Sequence, residues 1–184
     1  MKVEAITIGA SDALAPVESV EAVAGCGLEG DRHYRAGGHR NPGGALTLIE
    51  AEVLEDVSLS GPESRRQVVV RGVRLNDLVG KRFRVGDVEC VGVELCEPCR
   101  HLESLTRPGI IKEMLHRGGL NADLLSSGTI AVGDAVAVAP PAAATAIEPR
   151  TSSPAERRGM VKAHRAKPWA RMAVARTPAA PTVM

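Results

Sequence analysis

Cys96 and Cys99 close the two ends of the tetrapeptide Cys-Glu-Pro-Cys, and Arg100 and His101 follow directly. Two thiols at this spacing suit three kinds of chemistry: half of a zinc site, a redox pair, or one nucleophilic thiol with a neighbour. Zinc ribbons carry a second tight pair, which Cys26, Cys90 and the histidines do not supply. A thioredoxin-like pair opens a helix within a βαβ pattern, and no such pattern is visible. The plain alternative is two small buried hydrophobes. The flanking charge favours a reactive thiol at Cys99, because cations near a sulfur favour the thiolate, the species that binds metals and accepts sulfur. Pro98 fixes the backbone beside it and removes one amide donor.

A second group of candidates is Gly30-Asp31-Arg32-His33, with Arg35, His39, Arg40 and Asn41 shortly after. Exposed amides of a glycine-rich loop together with arginine forks suit a phosphate or another oxyanion. Asp31 could instead serve only to orient Arg32 as an ordinary ion pair. If both groups belong to one site, Arg32 and His33 must come within side-chain reach of Cys99 across more than sixty residues of sequence.

Several elements must position these residues. Met1 to Ile8 carries β-branched Val3, Ile6 and Ile8 and is expected to be a strand that ends at Gly9. Residues 25 to 44 hold seven glycines and one proline, which predicts a long loop or a set of tight turns. Leu46 and Leu48 then alternate as in a strand, and Ala51, Val53, Leu54 and Val57 continue at helical spacing. Strand-like runs follow near 67 to 71, 82 to 85 and 88 to 95, separated by Gly72, Gly80 and Gly86. The run ending at Leu95 delivers Cys96 and Cys99 to a strand end. Around Ile110 a short helix is expected, with Ile110, Ile111, Met114 and Leu115 on one face and Gly118 as its stop signal. Residues 128 to 139 suggest two short strands around a Gly-Asp turn. Many short strands with glycine turns predict a mainly β fold, a barrel with about three short helices.

The 184 residues are 44% hydrophobic and only 2% aromatic, so aliphatic side chains must build the core. A cut after Ala139 separates two regions of opposite charge. Residues 1 to 139 carry 15 Lys and Arg against 20 Asp and Glu; residues 140 to 184 carry the other 8 against 2. The later region is Pro/Ala-rich and lacks a sustained apolar period, so a disordered basic tail is expected. A tail of this kind could touch an acidic partner, but one Trp and no clustered aromatics give nucleic-acid bases little to stack on. No apolar run approaches membrane-spanning length, and the first residues do not resemble a secretory signal, so a cytoplasmic protein without structural disulfides is expected.

The segments GLEGDRHY, ALTLIEAEVL, SRRQVVVRGVRLNDLVGKRFRVGDV, LCEPCRHLESLT and HRGGLNADLLSSGTIAVGD resemble, in order and spacing, the MOSC family named for the C-terminal domain of molybdenum cofactor sulfurases. The resemblance covers roughly residues 1 to 138. It implies a MOSC-type β-barrel and a cysteine that ligates molybdenum or carries sulfur as a persulfide; the matching position is Cys99. Cys96 matches a subset of small stand-alone members. The resemblance also implies that the loop with Gly30, Asp31, Arg32 and His33 lies by the site. A molybdenum-pterin cofactor would then be held through its oxygens by these residues together with Arg66 and Arg100. Arg65-Arg66-Gln67 departs from the Arg-Arg-Asn of similar small members, so a contact made there by a shorter amide would be lost or remade. No segment resembles a pyridoxal-phosphate desulfurase, iron-sulfur or flavin domain, so sulfur or electrons are expected from a partner: a cysteine desulfurase or an electron-donor protein. The competing expectation is a binding module that keeps the barrel, performs no turnover and makes its main contact through the basic tail.

Overall fold

The structure, a computed structural model, describes residues 1–138 apart from Asp12. The basic tail expected from residue 140 onward lies outside the described residues. Among the described residues eleven strands are present: β1 (Lys2–Ile8), β2 (Ala15–Val17), β3 (Ser19–Val23), β4 (Gly27–Leu28), β5 (Leu46–Glu50), β6 (Val68–Arg71), β7 (Arg82–Val85), β8 (Val88–Leu95), β9 (Leu120–Leu124), β10 (Gly128–Ala131) and β11 (Val136–Val138). Four helices join them: α1 (Ala51–Asp56), α2 (Gly61–Ser64), α3 (Arg100–Leu105) and α4 (Ile110–Glu113), with a 3-10 turn over Leu75–Leu78. The fold is mainly β, as the glycine-punctuated runs predict, with one helix more than expected.

Eight strands form one sheet in the order β11-β7-β8-β9-β5-β6-β1-β2, and β10-β3-β4 form a second. The large sheet curls, because β1 also touches its far end. Lys2 bridges Ala135, and the Val3 N–H donates to the Asp134 carbonyl at 2.8 Å. The barrel is therefore fastened by the first strand, whose second half pairs instead with β2 through Ile6 and Val17.

Pairing is antiparallel except between β5 and β6, where Leu48 meets Val68 and Glu50 meets Val70 in parallel. A parallel pair needs a crossover, and α1 and α2 supply it. That crossover explains why the Val68-Val69-Val70 run is buried on both faces. Val68, Val70, Leu46 and Leu48 point into the barrel core with Phe83, Cys90 and Leu120. Val69 and Ile49 point the other way into a second core with Leu54, Leu102, Ile110 and Met114. Alternation of period two serves two cores here rather than one core and solvent.

Two expectations about the later elements are revised. Around Ile110 the helix ends by Met114, so Leu115 is 51% exposed instead of sharing the buried face with Ile110 and Met114. The chain reverses through His116, at φ 61°, rather than at Gly118. The strands around Gly133-Asp134 also do not pair with each other: β10 joins β3 and β11 joins β7, so their turn links two sheets.

Candidate functional site

The C-terminal end of β8 delivers Cys96, and Cys99 stands immediately before the first residue of α3, its side chain making no capping bond. The turn between them is held by the segment before β9. The Cys96 N–H donates to the Gly119 carbonyl at 2.8 Å, and the Glu97 carboxylate accepts from both the backbone N–H and the Nδ1 of His116, each at 2.9 Å. Gly118 leaves the room this requires, since a Cβ there would lie 2.6 Å from the Cys96 carbonyl oxygen. Gly119 is more constrained still: its φ is +118°, and a Cβ would sit 2.2 Å from the Leu48 carbonyl oxygen.

Arg66 ties this turn to the crossover. Its side chain is buried, with Nε donating to the Gly118 carbonyl at 2.9 Å, Nη1 to that of Ser64 at 3.1 Å and Nη2 to that of Cys96 at 3.0 Å. Arg66 and its neighbour Arg65 are presented by α2, which starts with a reciprocal cap. The Ser60 hydroxyl accepts from the Glu63 N–H, and the Glu63 carboxylate accepts from the Ser60 N–H at 2.8 Å. Ser60-Gly-Pro-Glu63 carries this signature in the sequence, although the expected elements did not include the helix. Arg65 then leaves α2 in the left-handed region, at φ 62°.

Opposite stands the glycine-rich loop. Its one short piece of regular structure is β4, and turns close on themselves beyond it, as where the Arg35 N–H donates to the Cys26 carbonyl at 2.9 Å. Asp31 is buried inside this loop. Its carboxylate accepts from the His33 N–H at 2.9 Å and the Gln67 side-chain amide at 2.8 Å. The same Gln67 amide accepts through its oxygen from the Thr47 N–H at 2.8 Å, so one side chain joins the loop, β5 and the start of β6. The longer amide of Gln67 thus makes a definite contact. Arg32 reaches the Arg65 carbonyl through Nη2 at 3.1 Å.

These parts enclose a cavity of about 510 Å³. Arg32 and His33 form one wall, Arg65 and Arg66 another, and Cys96, Cys99, His101 and Leu102 a third; Thr47, Asn121, Gly43 and Gly44 complete it. Two groups of residues far apart in sequence therefore share one concave surface. Gly30, Asp31 and Arg100 do not line it: Asp31 lies behind the loop as its anchor, and Arg100 is the exposed first residue of α3. Arg65, Thr47 and Asn121 are lining residues that the sequence reading did not single out. None of the described side chains lining the cavity is a carboxylate.

The thiols differ sharply. Cys99 is exposed, Cys96 and Cys26 are partly exposed, and Cys90 is buried in the barrel. Burial pushes the Cys90 thiol up to about 12. Burial also pushes the Cys96 thiol up, with the Arg66 charge pulling against it. Among the described residues no three His, Cys, Asp or Glu side chains gather around a point where a metal ion could sit. A metal bound through Cys99 would take its other ligands from the group that carries it.

His33 is held below its ordinary value of 6.5, first by burial and then by the charge of Arg32. As pH falls through 6.5 the unfolded chain takes up a proton that folded His33 refuses. This histidine therefore lowers stability progressively until its folded pKa is reached, below which the loss levels off. An oxyanion bound in the cavity would stabilise the charged ring and raise that pKa, so its affinity should increase as pH drops. NMR titration of His33 is expected to give a midpoint below 6.5 that climbs when inorganic phosphate is added; a midpoint that ignores phosphate would separate His33 from the anion site.

A family profile described as MOSC domain matches residues 39–137, more than half of the chain. The chain belongs to the MOSC domain family. Among solved structures it is similar to the YuaD protein from Bacillus subtilis, at 16% identity and a TM-score of 0.62, covering 73% of this chain and 93% of that one. YiiM from Geobacillus stearothermophilus is similar at 16% identity and a TM-score of 0.58, with 76% and 75% covered. YiiM from Escherichia coli has 16% identity and a TM-score of 0.55, with 77% and 71% covered. At these identities the likeness is one of fold. No curated protein matches the chain. No helix among the described residues is long and apolar enough to cross a membrane.

Proposed function

We propose that the cavity binds a molybdenum-pterin cofactor, with Cys99 as its thiolate ligand. The observation that carries this reading is the lining: three arginines and two histidines surround two thiols, and no described carboxylate opposes them. Such a wall attracts an anion that also bears a soft centre for sulfur. The volume falls within the usual range of small-molecule sites, ~300–1,000 Å³. Arg32 and Arg65 are the guanidinium groups for phosphate or pterin oxygens, and His33 adds a ring nitrogen. Arg66 acts differently, because its three nitrogens each serve a backbone carbonyl and thereby set the position of Cys96. The cofactor, when bound, supplies two-electron redox chemistry at molybdenum; the chain's own residues hold its anionic part and present one sulfur. In this reading the protein is an oxidoreductase that takes electrons from a partner protein.

The exposure of Cys99 at the cavity rim favours a second reading, in which the same thiol carries sulfur as a persulfide received from a cysteine desulfurase. Protein produced in a host that makes the cofactor should retain molybdenum and pterin near one per chain. Arg32→Ala with Arg65→Ala should lower that occupancy about tenfold, the effect of losing ~1.4 kcal/mol or more of charge-assisted contact. Wild-type protein free of molybdenum from such a host would remove the first reading. Sulfur retained on Cys99 would then leave the second standing.

A further inference from the structure

Cys96 and Cys99 line one cavity from opposite ends of a single turn, separated by Glu97 and Pro98. The turn is held from several directions: the Cys96 N–H by the Gly119 carbonyl, the Cys96 carbonyl by Arg66, and the Glu97 carboxylate by His116. Pro98 packs where Gly118 has no side chain, its Cδ lying 3.0 Å from the position of a Cβ. One thiol is open to reagents at the start of a helix and the other sits deeper in the same cavity. Arg32 and Arg65 line the same cavity, where positive charge favours a departing anion. A lone carrier thiol would need neither the second sulfur nor so constrained a turn.

We infer that Cys96 is the resolving thiol of Cys99, releasing sulfur carried there as sulfide and leaving a Cys96–Cys99 disulfide. The inference rests on the persulfide reading above. In the step, Cys96 gives up its thiol proton and its sulfur attacks Cys99 Sγ. The persulfide S–S bond breaks, and the outer sulfur departs with the bonding pair and takes the proton as hydrosulfide. The two cysteine sulfurs are oxidised as the outer sulfur is reduced, so the step balances without an added oxidant. A dithiol reductant, itself becoming a disulfide, returns the pair to two thiols by exchange. The product is sulfide delivered inside a cation-lined cavity.

The test uses the full chain, reduced, then exposed to sodium tetrasulfide and desalted, with released sulfide measured and sulfur adducts mapped by mass spectrometry. Wild-type protein is expected to release sulfide and accumulate a Cys96–Cys99 crosslinked peptide. Cys96→Ser and Cys96→Ala should hold one extra sulfur on Cys99 and release sulfide at least about tenfold more slowly, because the internal attacking thiol is gone. The crosslink mapped in unmodified protein does not depend on how either variant folds. If wild type keeps the extra sulfur as long as the variants do, or crosslinks Cys99 to another cysteine, Cys96 is not the resolving thiol and the persulfide reading survives. If no extra sulfur or crosslink ever appears at Cys99, the persulfide reading itself fails.

Discussion

Cys99→Ser is expected to abolish the retention of molybdenum and the uptake of sulfur together while leaving the folded barrel unchanged. Cys99 is exposed, so the substitution removes little packing, and serine keeps nearly the same size. What disappears is the soft sulfur, which an alcohol oxygen does not replace as a ligand for a thiophilic metal or as a sulfur acceptor. The specificity of the loss follows from the other thiols. Cys90 is sealed in the barrel with its pKa pushed up to about 12, and burial raises that of Cys96 as well. Cys26 is partly exposed in the glycine-rich loop, away from the cavity lining. Alkylation at a pH below the ordinary thiol value of ~8.5 should therefore label Cys99 first and Cys90 last. Metal analysis, adduct mapping and thermal unfolding of the variant check the three parts separately. Molybdenum retained by Cys99→Ser and lost by Cys96→Ser would reverse the assignment.

Arg66→Ala should cost roughly 3 kcal/mol of stability, because it strips partners from three backbone carbonyls in or near the protein interior, each worth ~1–3 kcal/mol when left unsatisfied. Water entering from the cavity can reach the Cys96 carbonyl more readily than that of Ser64, which keeps the total toward the lower end of the sum. Arg66→Lys should recover only a part, since a single ammonium cannot span the carbonyls of Ser64, Cys96 and Gly118 as a planar fork does. Denaturant unfolding measures the loss, and faster alkylation of Cys96 under native conditions would report that its turn has loosened. Unchanged stability in the alanine variant would mean that the three carbonyls need no guanidinium.

The strands near 82 to 85 and 88 to 95 were legible because β-branched and apolar residues lie there between glycines, a local signal that survives into the fold. β3 and β9 carried less of it: Glu21 interrupts one, and Asn121 and Asp123 face outward from the other. Leu120-Asn-Ala-Asp-Leu124 does alternate buried and partly exposed residues, but five residues cannot declare a partner strand. The same limit applied to the site. Cys99, Arg32 and His33 stood out by type, whereas Thr47 and Asn121 are ordinary strand residues whose importance arises only from the pairing of β5 with β9. The resemblance implies that Arg66 holds cofactor oxygens; its three carbonyl partners come instead from residues 64, 96 and 118, a set that no local pattern contains.

The way β1 fastens the barrel sets the order in which the chain can finish folding during synthesis. β1 precedes all its partners: β2 follows within a few residues, but β6 and the residues around Ala135 come much later. At ~5–20 residues per second, roughly 130 residues of further translation leave this strand without its last partner for on the order of ten seconds. Throughout that interval the end of β1 that carries Val3, fully buried in the finished protein, keeps an edge open toward the residues around Ala135. The start of β1 is thus the part of the barrel left longest without its partner, and shielding of residues 2 to 8 by a ribosome-associated chaperone would protect the barrel during that interval.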